Sequence, residues 1–529
     1  MGTVHAKEPS NPSGLSQSPE ENASANKCNE SPKADDFPSF SKNKSQLYRE
    51  EENIQAKNIF FQTVKARVDK IHVDGLIRTK DDIIKSQVMD LFKATNFEDV
   101  IIRAYKVREK LDSLQCFKNI GIYIDTSQGP DATPDGVEVT FMVREMRRLG
   151  GAISTMIGNN EGSLMIGARA PNLFGRAERI QVEYSHGNKS SINFNVSAIK
   201  PFPQSLYNAV LTGTVFSTTH DFPWSGFKQN DKGLLLDMEF HQTDTSKHNI
   251  QYEAAFRNIS CSKQAAFRVR EQCGPNLKSA LRYIWTIDKR DSSIFPITGS
   301  LMRLTTEMAG LGGDIGFLKN ELAVQTNWSP HEYLISIFII FSGTFVISSV
   351  PVYLIVYYKM LYYEFSSFEQ TFQLGLQAGL LSAISNDMKI SIADNFFLGG
   401  PLNLRGFDMR GCGPRYDGNS VGGEMYWAAA LHIYTPLPFR PGRNSFGDLF
   451  RLHGFINGGN LSNFTFAYGN LYNENMKIFT ENVRCTIGGG IAMKLGNVAR
   501  VELNLVTPLL FMRSDVLQQF QFGIGVQYL

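Results

Sequence analysis

Leu404-Arg405-Gly406-Phe407 sets a permanent cation beside a glycine and an aromatic ring. A guanidinium can therefore be presented on a tight turn while Phe407 packs against a wall. The chemistry on offer is charge pairing. Inside a closed structure the cation needs a carboxylate or carbonyl partner, because an unpaired buried charge is costly. Glu424, facing inward from the strand that follows, is the candidate. On a solvated turn Arg405 would need no partner at all.

Patterns for catalysis are weaker. Gly418-Asn419-Ser420-Val421-Gly422 spells GxSxG, but a nucleophile elbow needs a strand before it and a helix after it. Here an Arg-Tyr-Asp turn precedes and a strand-like stretch follows. The chain has no GxxxxGK[ST] phosphate loop, no GxGxxG fingerprint and no HExxH pair among its nine histidines. Cys28, Cys116, Cys261, Cys273, Cys412 and Cys485 include no CxxC pair and read as isolated thiols. The expectation is a protein that is not an enzyme and holds no metal or cofactor. With 53 Lys and Arg against 51 Asp and Glu, the net charge of +2 gives no field that would gather a nucleic acid.

The elements that must position Arg405 fall into three stretches. Residues 1–58 are polar, with almost no aliphatic side chains, and read as a disordered tail that cannot bury enough surface to offset ordering entropy. Residues 59–146 read as one small α+β domain of strand, helix, helix, strand, strand. Thr79 is a plausible N-cap for a helix from Lys80 to Phe92, and a second helical pattern runs from Phe97 to Leu114. Ile120, Ile122 and Ile124 alternate with polar neighbours, as do Val137, Val139, Phe141 and Val143 across a Gly-Pro-Asp turn.

From residue 147 to 529 the helical period gives way to alternation. Ile180, Val182 and Tyr184 enclose Gln181 and Glu183; Val501, Leu503 and Leu505 enclose Glu502 and Asn504; Phe520, Phe522 and Ile524 enclose Gln521 and Gly523. Apolar and polar faces repeated over some 380 positions, with no helical layer to cover them, suit a closed antiparallel barrel with a polar lumen. A soluble β-sandwich would alternate too. The 38 Phe favour the membrane barrel, whose outer girdle uses them. One stretch departs from this texture: Tyr333 to Tyr358, within an insertion of about 333–363, carries no charge and is long enough to span a bilayer as a helix. Its β-branched and aromatic content and Pro351 oppose a helix, leaving an inserted hairpin or helix, a pair of strand extensions, or a retained intron; the last is preferred.

Three signals carry a family likeness: Leu404-Arg405-Gly406-Phe407, Asn172-Leu173-Phe174-Gly175-Arg176-Ala177-Glu178, and Gly422-Gly423-Glu424 followed by Tyr434-Thr435-Pro436-Leu437-Pro438-Phe439. In this order they resemble the BamA-type outer-membrane-protein assembly family, and most closely its mitochondrial branch in the sorting and assembly machinery. The likeness covers most of Thr63 to Leu529. It implies a mainly β fold: a transmembrane β-barrel of about sixteen antiparallel strands after one N-terminal α+β POTRA domain. It implies a place in the mitochondrial outer membrane, with that domain facing the intermembrane space. The implied activity is insertion and folding of β-barrel precursors through a seam between first and last strands. The implied partners are those precursors, other subunits of the machinery and the lipid bilayer, and no nucleic acid. A passive channel or transporter barrel is the alternative.

Two site details follow from the likeness. The family's wall pattern Phe-x-Asp-x-Gly is matched by Phe455-Ile456-Asn457-Gly458-Gly459, so Asn457 replaces an acid and Glu424 gains importance as the partner of Arg405. Gln521-x-Gly523-x-x-Val526-x-Tyr528 is similar to the last-strand signal that this family reads in its clients, and Gly523 would soften that strand.

Overall fold

The computed structural model describes residues 3–6, 64–130, 132–158, 161–187, 191–203, 208–329, 370–385, 388–437, 446–463, 477, 480–496 and 499–525. The N-terminal unit is a four-stranded sheet in the order β1 (Thr3–Ala6), β2 (Arg67–Asp74), β4 (Gly136–Glu145) and β3 (Phe117–Thr126). Two helices, α1 (Asp81–Val88) and α2 (Phe97–Ser113), complete it. Val100, Ala104, Val107 and Leu111 recur at helical spacing on α2 and are buried with Ile71 and Val73 of β2 and Val139 and Phe141 of β4. Most of the tail expected over 1–58 lies outside the described residues. Thr3–Ala6 corrects that expectation locally, since it pairs in parallel with Lys70 to Val73 of β2.

Thr79 does not cap α1. The N-cap is Lys80, without a side-chain bond, and the Thr79 hydroxyl donates to Glu145 Oε1 at 2.7 Å. That carboxylate also accepts the backbone N–H groups of Ile77, Arg78 and Thr79 at 2.9 to 3.1 Å, and Arg78 Nε donates to Oε2. Burial works against the charge, but the Thr79 hydroxyl and the three backbone donors outweigh it and hold the Glu145 carboxyl at about 2.

The second unit is one sixteen-stranded antiparallel sheet, the barrel wall. Its first eight strands are β5 (Gly150–Gly158), β6 (Glu161–Pro171), β7 (Arg179–Gly187), β8 (Ile192–Phe202), β9 (Ala209–Phe222), β10 (Phe227–Thr243), β11 (Ser246–Cys261) and β12 (Gly274–Asp288). After them come β13 (Gly299–Ala309), β14 (Phe317–Trp328), β15 (Thr371–Ala383), β18 (Met425–Pro436), β19 (Phe450–Ser462), β20 (Arg484–Leu495), β21 (Ala499–Leu510) and β22 (Phe520–Gly525). Every neighbour is the next strand in the chain, apart from the small hairpin β16 (Arg415–Tyr416) and β17 (Asn419–Ser420), which stands outside the wall between β15 and β18.

The alternation sets the faces. On β21 and β22, Leu503, Leu505, Phe520 and Phe522 are exposed, while Glu502, Asn504 and Gln521 are buried. This inversion of the usual soluble pattern suits hydrocarbon outside and a polar lumen inside. Residues 172–178 join β6 to β7. The insertion about 333–363 lies outside the described residues; the strands flanking it, β14 and β15, pair directly from Trp328↔Phe372 to Phe317↔Ala383. Among the described residues no helix is long and apolar enough to cross a membrane. Two cysteines correct the isolated-thiol reading: a short helix, α3 (Phe267–Glu271), turns the chain so that Cys261 and Cys273 meet in a disulfide.

Candidate functional site

The forty-one residues between β15 and β18 carry the Arg405 motif, and the part around it buries against the lumen side of the wall. Leu398, Leu404, Phe407 and Cys412 of this loop are buried together with Ala280 of β12, Ala309 of β13, and Ala428 and Ala430 of β18. Small wall residues leave the room that the loop fills. Gly406 has φ +92°, and a Cβ there would meet Thr486 Cγ2 and Val506 Cγ1 at 2.9 Å each. Only glycine fits that close approach to β20 and β21.

Arg405 is fully buried, and its Nε and Nη2 both donate to Glu502 Oε2 at 3.1 Å. Glu502 is itself fully buried on β21, where Arg500 Nη2 stands 2.9 Å from Oε1 and Asn504 Nδ2 donates to Oε2 at 3.0 Å. The guanidinium also lies 3.4 Å from His432 Nε2 and 5.1 Å from the centre of the Phe455 ring. A buried cation is thereby matched by a buried anion and by further polar and aromatic neighbours, the condition under which such a pair is tolerated.

This replaces the expected partner. Glu424 immediately precedes β18, eight positions before His432, which is about 26 Å along an extended strand. Its backbone instead bridges Leu381 and Ser462. The loop reaches far deeper than its spacing in the chain suggests, so the wall position opposite Arg405 comes from a strand ninety-seven residues on. Glu502 is legible in the sequence as the inward member of Val501-Glu502-Leu503, but nothing in its spacing links it to Arg405.

Asn457 does meet the motif, through the backbone. With its amide oriented to satisfy both ends, Oδ1 accepts from Arg405 N at 2.7 Å and the nitrogen donates to Thr486 Oγ1. Thr486 Oγ1 in turn donates to Arg405 O at 2.8 Å. A neutral amide suits this position, since it must accept from one group and donate to another. Gln521 completes the cradle from β22: its Oε1 accepts from Gly406 N at 3.0 Å and its Nε2 donates to Phe407 O at 2.7 Å. Gly523 lies on the same strand opposite Glu502. Val526 and Tyr528, the rest of the last-strand pattern, lie outside the described residues.

A second anchor has no signal in the sequence. Asp394 of the same loop is buried between Arg257 Nη1 of β11 at 3.0 Å and Lys278 Nζ of β12 at 3.2 Å. Lys278 also pairs with Glu307 of β13 at 2.7 Å. The loop is therefore tied to β11 and β12 by one carboxylate and to β21 by one guanidinium. Ser420 of the GxSxG pattern is buried in the β16–β17 hairpin, with neither the preceding wall strand nor the following helix of a nucleophile elbow. Among the described residues no group of three or more His, Cys, Asp or Glu could hold a metal ion.

A sixteen-stranded wall with an arginine-bearing loop clamped inside is the arrangement of an Omp85-type barrel, and the Omp85 superfamily domain matches residues 172–528. BamA from Haemophilus ducreyi, lacking POTRA domains 1–3, shares the fold with a TM-score of 0.64 at 14% identity, over 87% of this chain and 85% of that one. The sorting and assembly machinery component 50 homologs of Bos taurus and Homo sapiens are each 39% identical over 478 residues, 90% of this chain and 93% of theirs. A SAM50-like protein of Drosophila melanogaster is 32% identical over 473 residues. The chain belongs to this family of sorting and assembly machinery component 50 homologs within the Omp85 superfamily.

Proposed function

We propose that the chain inserts and folds β-barrel precursors into the mitochondrial outer membrane through a lateral seam between β5 and β22. The observation that carries this reading is that the two end strands of the wall, β5 and β22, approach each other without a ladder between their described residues. β22 pairs with β21 and β5 with β6, and among the described residues no ladder joins β5 to β22. β22 contains Gly523 and Gly525, which weaken a strand interior.

Open edges present N–H and C=O groups that an incoming strand can take up. A precursor strand entering there gains backbone hydrogen bonds, and its apolar face gains hydrocarbon, so no nucleotide hydrolysis or other catalytic step is needed. The partners would be precursor barrels, other subunits of the machinery and the surrounding bilayer, with the N-terminal α+β domain facing the intermembrane space. No cofactor and no nucleic acid enter this scheme. The doubly anchored loop fills lumen that a passive channel would keep open, which favours assembly over conduction. Depletion of the protein, followed by import of porin into isolated mitochondria, tests the reading. Loss of porin assembly is expected, and undiminished assembly would defeat it.

A further inference from the structure

We propose that Gln521 is a latch: a positioning residue that ties the seam strand β22 to the lumen loop. The inference rests on the seam reading for its consequence in assembly, but its structural part stands on geometry alone. β22 pairs on one side with β21, from Leu505↔Phe520 to Arg500↔Gly525. Toward the lumen, the buried amide of Gln521 takes both the Gly406 N–H and the Phe407 carbonyl.

The approach to β22 is stitched to the same loop. Gln518 N donates to Gly406 O at 2.9 Å, Asp408 N to Val516 O at 2.9 Å, and Val516 N to Gly411 O at 3.0 Å, with an antiparallel bridge between Phe407 and Leu517. The loop tip thus holds residues 516–521, and it is itself fixed to the adjacent strand by Arg405 and Glu502. A carboxamide is the neutral side chain that offers one donor and one acceptor on a planar fork, as this N–H and C=O pair requires. A carboxylate would face the Phe407 carbonyl with no proton to give, and an apolar chain of the same length would leave the buried Gly406 N–H unsatisfied. Displacing the loop would therefore free β22 on its lumen side.

The test is hydrogen exchange on the full-length chain in lipid nanodiscs, comparing Gln521→Met with the unaltered protein. Amides of Phe520–Gly525 are expected to exchange roughly tenfold to a hundredfold faster, while those of β20 stay as they were. Unchanged exchange in β22 would overturn the latch, and so would a uniform rise over the barrel, the mark of a merely structural role. Porin insertion by the same preparation separates the two claims: faster exchange with unaltered insertion would leave the latch standing and sink the seam reading. Should Gln521→Met fail to fold, Phe407→Cys with Leu517→Cys fastens the loop to the approach of β22. The oxidised form is expected to exchange more slowly in β22 than the reduced form, and equal rates would overturn the latch.

Discussion

Changing Glu502 to Gln keeps the size of the side chain and removes the carboxylate that Arg405 pairs with. In the folded protein Arg405 and Glu502 are both without solvent exposure, and Oε2 receives two hydrogen bonds from Arg405 and one from Asn504. Arg500 loses its carboxylate at the same time. Removing one member of a buried pair costs about 3 to 5 kcal/mol, since the surviving charge stays out of water. At ~1.4 kcal/mol per factor of ten, the released form of the loop should gain roughly a hundredfold to a few thousandfold in population. Limited proteolysis of the detergent-solubilised chain reads this population when cleavage is slow relative to reclosing, and the cuts should appear in residues 402–411. Combining Glu502→Gln with Arg405→Met should recover much of the resistance, because the most deeply buried unpaired cation is gone. Arg500 keeps that recovery partial. Glu424→Ala should leave the loop as resistant as before. If Glu502→Gln resists protease like the unaltered protein, or if Glu424→Ala exposes the loop, the argument from the buried pair is wrong.

Other perturbations reach different parts of the chain. Gly406→Ala puts a methyl 2.9 Å from Thr486 and Val506 at a positive φ; it should loosen the loop by at least about 1 to 2 kcal/mol, visible in the same proteolysis. Asp394→Asn leaves Arg257 and Lys278 without the carboxylate between them and should lower the temperature at which the barrel unfolds on a semi-native gel, while Arg405 stays in place. Glu145 gives a pH dependence. Its folded-state value of about 2 lies below the usual 4.5, so its contribution is complete above about 4.5 and is lost as the pH falls towards 2. Amide exchange in β4 should rise across that window, and Glu145→Gln should make the rise smaller; an unchanged profile in the variant would remove Glu145 as a source of it.

The period of the side chains determined much of the architecture without help. Two-residue alternation at Val501 to Leu505 and Phe520 to Ile524 fixed which face meets hydrocarbon and which meets the lumen, because a strand sends successive side chains to opposite sides. The 3.6-residue period of Val100, Ala104, Val107 and Leu111 likewise placed α2 within a residue of its end. Composition also marked Arg405 as a cation in need of a partner. The identity of that partner lay beyond the sequence. Glu424 is near in the chain but about eight residues away along the wall, whereas Glu502 and Gln521 come within reach only after β21 and β22 have closed over the loop. Asp394 carried no pattern at all, since its two cations come from β11 and β12, more than a hundred residues earlier. Local periodicity is set by backbone geometry and is written in neighbouring residues. Charge pairing inside a lumen depends on where distant strands place their inward side chains, and only the folded wall decides that.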